Sequence, residues 1–219
     1  MFFLGVDLAG ETHTRALVLR RNDLSAELLR PGLLRDLVAF CETHPVLGVA
    51  IDAPLTFGLA DRKGFRETDR KLRSLLPGEA RNWVVSYHGL QAVPIRGKIL
   101  AEALSPVVGT ILETHPRSSL YFLLPETEKH LAFEYKPRGK SLSTAGQRAS
   151  RRILHYLEEH FGVKIYLPEE EEVNDGLVDA LLCALTVYLF HTAPENLLFL
   201  SRRAQGLSGR GPFVVIKRL

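Results

Sequence analysis

Three carboxylates of this 219-residue chain stand where apolar neighbours argue against them. Asp7 follows the first apolar run, in GVDLAG, and Asp52 closes the most apolar run, in VAIDAPL. Asp179 lies inside the apolar stretch NDGLVDALLCAL, with Asp175 four residues before it. A lone buried carboxylate costs several kcal/mol unless it is paired, hydrogen-bonded or bound to a metal ion. These positions therefore indicate a polar site.

The elements that carry these carboxylates predict where they lie. Apolar runs at 2–8 and 46–53 predict strands, and a helix pattern at 33–43 between them indicates a crossover with parallel pairing. Asp7 and Asp52 then lie at the carboxyl ends of strands, where open α/β sheets bind ligands. Asp175 and Asp179 share one face of a helix. Together they could converge on a cation, and oxygen ligands suit Mg²⁺ or Mn²⁺ rather than zinc.

Glu113 is a further candidate, because it closes another predicted strand in TILETHP. It could act as an additional catalytic carboxylate or metal ligand, or it could anchor the ligands from behind. It could equally pair with Arg117 or His115 and take no part in the chemistry. His115 could shuttle a proton, although a strand-end histidine that only satisfies its own hydrogen bonds is the simpler interpretation.

Each of the other carboxylates also has a structural explanation. Asp7 before Leu-Ala-Gly could form a turn, and Asp52 before Ala-Pro could cap a loop. Asp175 could be a helix N-terminal charge that follows Asn174. Asp179 is the hardest to explain in this way, because it interrupts an apolar helix. The set of four therefore favours a binding site more than any one member does.

The rest of the chain predicts a single α/β domain, residues 1–219, with an insertion at about 57–94. Strands at 2–8, 14–20 and 24–29 form an antiparallel meander, and the last apolar helix must be buried. The other predicted elements are helices at 68–76, 95–104, 141–160 and 175–191, a strand at 107–112, and a C-terminal hairpin at 197–203 and 212–218.

Composition excludes several classes of protein. With 46% hydrophobic and 24% charged residues, the chain has the composition of a folded globular domain and is not disordered. Cys41 and Cys183 form no CxxC pair, which excludes a disulfide framework or zinc finger and fits a reducing cytoplasm. No basic leader precedes the first strand, and the longest apolar stretch is about half of a membrane span. The scarcity of thermolabile residues hints at a thermophilic source.

The net charge of +3 is too small to indicate nucleic-acid binding, but the charge is unevenly placed. The segment 136–152 contains six basic residues and no acidic one, and a second basic segment follows Glu195. Such patches are typical of phosphate contacts, although a solvated helix face balanced by glutamates 169–172 explains the first equally well. The candidate nucleic-acid-binding residues are Lys136, Arg138, Lys140, Arg148, Arg151 and Arg152.

At this point the chain resembles the DUF429 family of predicted nucleases with the ribonuclease H-like fold, close to its resolvase-like branch. The resemblance covers roughly residues 4 to 190, and it departs from the family where Glu11, Thr12 and His13 follow the first Asp. The matching pieces are Asp7 in GVDLAG, Asp52-Ala-Pro, Arg66-Glu-Thr-Asp69-Arg-Lys-Leu-Arg73, Lys98-Ile99 with Glu102, Glu113-Thr-His115-Pro116, Lys140 with Gly146-Gln-Arg148, and Asp179-Ala180.

The resemblance implies a five-stranded mixed sheet with flanking helices, carrying the insertion and the C-terminal hairpin. It also implies a metal-dependent nuclease that hydrolyses phosphodiesters with two Mg²⁺ or Mn²⁺ ions about 3.5–4 Å apart. Asp7 would bridge both ions, and Asp52 and Asp179 would each complete one. Glu113 or Asp175 would be a further ligand or an anchor behind the ligands.

Two other functions remain open. One is a non-catalytic nucleic-acid-binding protein on the same fold, although all the expected carboxylates are present. The other is an actin-like phosphotransferase, but that fold needs two such domains around a nucleotide cleft. The string GKS at 139–141 is no Walker loop, because position 134 holds Glu where the loop requires Gly.

Overall fold

The computed structural model describes residues 1–10, 13–29, 32–56, 60–136, 143–202 and 211–218. In this part of the chain, one mixed β-sheet carries helices on both faces. Its strands are β1 (Phe2–Asp7), β2 (Arg15–Arg20), β3 (Ser25–Leu29), β4 (Val46–Asp52), β5 (Thr110–Glu113), β6 (Lys164–Tyr166), β7 (Leu197–Ser201) and β8 (Phe213–Ile216). The helices are α1 (Leu34–Thr43), α2 (Glu67–Leu75), α3 (Val93–Leu104), α4 (Pro116–Leu123), α5 (Leu131–Glu134), α6 (Thr144–Phe161) and α7 (Asp175–Thr192).

The predicted meander and crossover are both confirmed. β1 pairs antiparallel with β2, and β2 pairs antiparallel with β3. β1 pairs parallel with β4, because the chain returns through α1, and β4 pairs parallel with β5. The carboxyl ends of β1, β4 and β5 therefore meet at one edge of the sheet.

The prediction of a five-stranded sheet with a separate hairpin is wrong, because the described residues form one eight-stranded sheet that includes both hairpin strands and β6. The strand order is β6-β3-β2-β1-β4-β5-β8-β7, so the five predicted strands form the centre. β6 has only three residues, too few to show a periodic pattern, and it pairs parallel with β3. The C-terminal hairpin extends the same sheet, because β8 pairs parallel with β5 at Glu113 and Phe213.

The two faces of the sheet bury different clusters. Side chains alternate along a strand, so Phe3 and Gly5 of β1 face α7, and Leu4 and Val6 face α1 and α3. Gly5 allows very close packing, since a Cβ atom there would lie 2.0 Å from the carbonyl oxygen of Ala180. The backbone of α7 therefore rests directly on β1.

α7 is confirmed as a buried helix. Among the helices of the described residues, α7 is the one that is long and apolar enough to cross a membrane. However, 67% of it is buried inside the protein. That burial is typical of the core helix of a soluble protein.

The segment predicted as an insertion packs on the C-terminal hairpin. Its described part, 60–94, contains α2 and a 3₁₀ turn at Gly78–Trp83. Leu72 and Val84 from this segment share an apolar cluster with Leu200 and Phe213 from the hairpin. This cluster holds the segment against the β5–β8 side of the sheet, next to the carboxyl ends of the central strands.

Candidate metal centre

Three carboxylates meet at the carboxyl edge of the sheet. Asp7 ends β1 and Asp52 ends β4, and the two are direct partners in the parallel register. Asp179 reaches them from the second turn of α7. One oxygen from each side chain lies within 4.8 Å of the other two. The predicted convergence of these three residues is confirmed.

Local packing explains why the three oxygens come together. Asp7 lies on the same side of β1 as Gly5, the side that α7 covers. The close approach of α7 at Gly5 brings Asp179 down to the strand ends. A Cβ atom at Gly176 would lie 3.0 Å from Oδ2 of Asp7, so the missing side chain leaves room for that carboxylate.

Two neighbouring side chains hold Asp179, which is 1% exposed. The Tyr135 hydroxyl donates a hydrogen bond of 2.8 Å to Oδ1 of Asp179. The Lys136 ammonium group donates to Oδ2 of Asp179 and lies 3.3 Å from Oδ2 of Asp175. The most buried carboxylate therefore has a hydrogen-bond donor on each oxygen.

Electrostatics oppose simultaneous ionisation of the cluster. Burial raises the pKa of Asp7 from 3.8 to about 7, and the charges of Asp179 and Asp175 add to this effect while Lys136 opposes it. Burial also raises the pKa of Asp52 well above its usual value, again with help from Asp7 and Asp179. A bound cation would relieve this repulsion.

The donor set fits a hard divalent cation. The group contains carboxylates alone, and carboxylate oxygen suits Mg²⁺ or Mn²⁺ rather than zinc or copper. Magnesium binds oxygen at about 2.0–2.1 Å, so ligands on opposite sides of one ion lie about 4 Å apart. The observed spacing of up to 4.8 Å is close to this value. Asp7, Asp52 and Asp179 could therefore hold one ion with small movements.

Glu113 is not part of this group, because its side chain leaves β5 on the opposite face of the sheet, although its charge still helps to raise the pKa of Asp52. It pairs in register with Ile51, which packs against α1 and α3, and not with Asp52. Its carboxylate accepts hydrogen bonds of 2.8 Å and 2.5 Å from Arg66 and of 2.8 Å from the Leu55 amide. Burial raises the pKa of Glu113, and Arg66 opposes the rise.

The partner of Glu113 is therefore Arg66, and neither Arg117 nor His115 takes that place in the described structure. Arg66 is 2% exposed and also donates to the carboxylate of Asp69, which lies in the first turn of α2. Glu113 thus ties α2 and the loop after Asp52 to the sheet. Of the roles predicted for Glu113, this geometry fits an anchor behind the metal ligands.

His115 is engaged as a helix cap. Its Nδ1 accepts a hydrogen bond of 3.2 Å from the Ser118 amide at the start of α4. Nε2 must then carry the proton and donate to the Trp83 carbonyl, 3.2 Å away. Burial lowers the pKa of His115. Both ring nitrogens are occupied, as in the simpler interpretation of a satisfied strand-end histidine.

The candidate nucleic-acid-binding residues separate into four groups, of which Arg152 is the last. Lys136 contacts the carboxylates and is not on an outer patch. Arg138 and Lys140 lie outside the described residues. Arg148 and Arg151 are exposed on α6, whose N-cap residue is Ser143.

Arg152 has a local partner that the sequence does not reveal. Its guanidinium group donates to Glu128 at 2.5 Å. The predicted balancing glutamates, 169–172, do not take this role, and among them Glu171 lies 3.9 Å from Arg15. The exposed basic face of α6 is therefore smaller than predicted.

A cavity of about 230 Å³ opens beside the carboxylates. Asp52 and Asp179 line it on one side, and Val84 and Val85 of the segment 60–94 line it on another. Thr114 also lines it, and its buried hydroxyl has no hydrogen-bond partner among the residues that the structure describes. The cavity therefore gives a ligand access to Asp52 and Asp179.

Sequence reasoning missed several members of this site. Tyr135 carries no motif of its own, because a single tyrosine occurs in too many contexts to stand out. The contact of Lys136 with Asp179 joins residues 43 positions apart. Arg66 and Thr114 lie in motifs of the family resemblance, which is the signal that could have marked them.

No family model matches this chain, and comparisons with curated proteins and with solved structures find no match either. The geometry of the site is therefore the basis for any statement about function.

Proposed function

We propose that this protein is a metal-dependent phosphodiester hydrolase that acts on nucleic acid. The observation that carries the proposal is the meeting of Asp7, Asp52 and Asp179, with one oxygen of each within 4.8 Å of the others. Asp7 and Asp52 stand at the strand ends where open α/β sheets bind ligands, and Asp52 and Asp179 line a cavity.

The residues of the chain would divide the work as follows. Asp7, Asp52 and Asp179 hold Mg²⁺ or Mn²⁺, which when bound supplies Lewis-acid stabilisation of charge on phosphate oxygens. The cavity beside them holds the phosphodiester and limits access of bulk water. In the reaction a water oxygen forms a bond to phosphorus, the bond to the leaving oxygen breaks, and the proton of the water passes to solvent or to that oxygen.

Two considerations bear on the number of metal ions. The family resemblance implies two ions with Asp7 between them. Lys136 already places one positive charge at the side of the site formed by Asp175 and Asp179.

The fold family, the nucleic-acid partner and the location are also part of this proposal. The five central strands, β3-β2-β1-β4-β5, are the five that the resemblance to DUF429 and its ribonuclease H-like fold implies, which supports membership of that family. The exposed Arg148 and Arg151 support a nucleic-acid partner. Cys41 and Cys183 are free and buried, which supports a cytoplasmic location.

A second candidate function is a non-catalytic nucleic-acid-binding protein. Lys136 favours it, because its ammonium group partly neutralises the carboxylates in the absence of a metal ion. In that case the lysine would serve stability alone.

Hydrolysis assays separate the two candidates. Single-stranded, duplex and branched DNA, RNA and bis(p-nitrophenyl) phosphate would be incubated with Mg²⁺ or Mn²⁺ and then with excess chelator. The hydrolase predicts metal-dependent cleavage of at least one substrate, and a loss of about 100-fold or more in Asp52→Asn. Asp36→Asn, an exposed change in the first turn of α1, is the matched control and should keep full activity. Nucleic-acid binding without any cleavage would favour the second candidate.

A further inference from the structure

Lys136 occupies the centre in a way that the sequence did not predict. Its ammonium group bonds Oδ2 of Asp179 and lies 3.3 Å from Oδ2 of Asp175. It is 26% exposed and lines the cavity that Asp52 and Asp179 also line. One positive charge of the protein itself thus lies beside the carboxylates, in the wall of the same cavity.

The geometry gives room for one divalent ion next to this lysine. Asp7, Asp52 and Asp179 bring three oxygens within 4.8 Å of one another, which is close enough for one ion to bind with small movements. A second ion at the Asp175 side would have to displace the Lys136 ammonium group or lie against it. Two positive groups a few ångströms apart repel strongly in a partly buried site.

The charges lead to the same result. Asp7, Asp52, Asp175 and Asp179 carry up to four negative charges, and Lys136 returns one. One divalent ion leaves the cluster slightly negative, so the site is nearly neutral without a second ion. A phosphodiester, which is itself an anion, then meets one ion and one ammonium group.

We propose that this centre works with one divalent ion, and that Lys136 takes the place of the second. The inference rests on the proposed function and specifies which two positive charges the site uses. Asp175 and Asp179 hold Lys136 at the cavity, where its ammonium group contacts an oxygen of the substrate phosphate and stabilises the charge that develops there. The ion is held by Asp7, Asp52 and Asp179 on the other side.

The test counts metal ions in the whole chain. Calorimetric titration and electron paramagnetic resonance with Mn²⁺ would be run on the wild type, Lys136→Met and Lys136→Arg. Lys129→Met is the matched control, because Lys129 is also 26% exposed and pairs with a carboxylate, Glu126.

The wild type should bind one Mn²⁺ ion per chain. Lys136→Met should bind that ion about tenfold more tightly or take up a second one, because the competing positive charge is gone. Hydrolysis of bis(p-nitrophenyl) phosphate should fall at least about 100-fold in Lys136→Met and be partly restored at high Mn²⁺, as a second ion enters. Lys136→Arg should keep one ion and part of the activity, and Lys129→Met should match the wild type.

Two ions in the wild type would overturn the inference, and so would unchanged ion number and affinity in Lys136→Met. If that variant does not fold by circular dichroism, the count in the wild type and in Lys136→Arg still decides. If no protein cleaves any phosphodiester, the proposed function fails. The ion counts are separate from that result, and one ion in the wild type with tighter or additional binding in Lys136→Met would still place Lys136 as the second charge.

Discussion

At the scale of single residues, the acidic cluster makes the stability of the metal-free protein depend on pH. The pKa of Asp7 rises from 3.8 in an unfolded chain to about 7 in the folded protein. The folded state therefore binds more protons than the unfolded state between these values. Its contribution to stability is full below about pH 3.8 and is lost as the pH rises through about 7.

We therefore expect the free energy of unfolding, measured with chelator present, to be higher at about pH 5 than at about pH 8. Asp52→Asn should flatten this dependence, because it removes a second carboxylate whose pKa burial raises. Urea titrations at both pH values measure the difference. His115, whose pKa burial lowers, contributes in the opposite direction in both proteins, so the comparison between them isolates the carboxylates. An equal pH dependence in the wild type and in Asp52→Asn would contradict the burial of Asp52.

Asp179 should matter for both activity and stability. Crowding of like charges alone would make Asp179→Asn stabilising. The structure reverses that expectation, because the change removes the partner of a charged lysine while its amide oxygen can still accept from Tyr135. We expect a loss of about 1–3 kcal/mol in urea unfolding, together with loss of metal-dependent hydrolysis. Unchanged activity would remove Asp179 from the centre.

At the scale of secondary-structure elements, the contact between β1 and α7 positions the site. A Cβ atom at Gly5 would lie 2.0 Å from the carbonyl oxygen of Ala180 and 2.2 Å from the amide of Ala184. Both are backbone atoms, so only a shift of the helix could make room. The helix carries Asp179, and the shift would also move its carboxylate.

Gly5→Ala should therefore cost about 3 kcal/mol or more and weaken Mn²⁺ binding in parallel. Gly109→Ala is the matched control, since no atom lies within 4 Å of a Cβ built there. It should change stability by no more than about 0.5 kcal/mol. Thermal melting and metal titration on both variants test the prediction, and a neutral Gly5→Ala would contradict the close packing.

α6 is the element on which nucleic-acid binding can be tested. Arg148 and Arg151 are exposed, whereas Arg152 donates to Glu128. Each phosphate contact contributes about −0.9 for a duplex, or −0.7 for a single strand, to the slope of log K against log salt. Changing both Arg148 and Arg151 to Ala should remove up to two phosphate contacts. The slope should then become less steep by up to about twice the value for one contact.

Arg152→Ala serves as the control in the same titration and should leave the slope unchanged, because its charge is already paired. If the variant with both Arg148 and Arg151 changed to Ala keeps the wild-type slope, α6 lies outside the nucleic-acid path and the C-terminal basic segment becomes the candidate. The stability of Arg152→Ala should fall by at most about 1 kcal/mol, as for an exposed ion pair.

At the scale of the whole molecule, a metal ion would join elements that are far apart in the chain. Asp7, Asp52 and Asp179 come from β1, β4 and α7. An unfolded chain cannot hold these oxygens together, so the ion binds the folded state alone.

Binding should therefore raise the free energy of unfolding by about 2.7 kcal/mol when the metal concentration is 100 times Kd. For a chain of this size, each kcal/mol shifts Tm by about 2–4 °C. Melting curves with increasing Mg²⁺ or Mn²⁺ measure the shift, which Asp52→Asn should abolish and Asp36→Asn should retain. An unchanged Tm in the wild type would mean that the carboxylates bind no metal ion.

The sequence by itself determined the features that depend on local pattern. The period of apolar residues located the five central strands and the buried helix, and the short helix after β1–β3 implied the parallel pairing of β1 and β4. Asp7, Asp52 and Asp179 stood out because each is a charge in an apolar run, and a charge in such a place requires a partner.

Only the tertiary structure decided which side chains complete the site. The register of β5 places Glu113 one residue away from the level of Asp52, and side chains alternate along a strand, so Glu113 faces the opposite side of the sheet. Lys136 and Tyr135 reach Asp179 across more than 40 positions of sequence. β6 and the hairpin joined the sheet by pairing with strands far away in the chain. Such register and pairing depend on packing between distant segments, which no local pattern records.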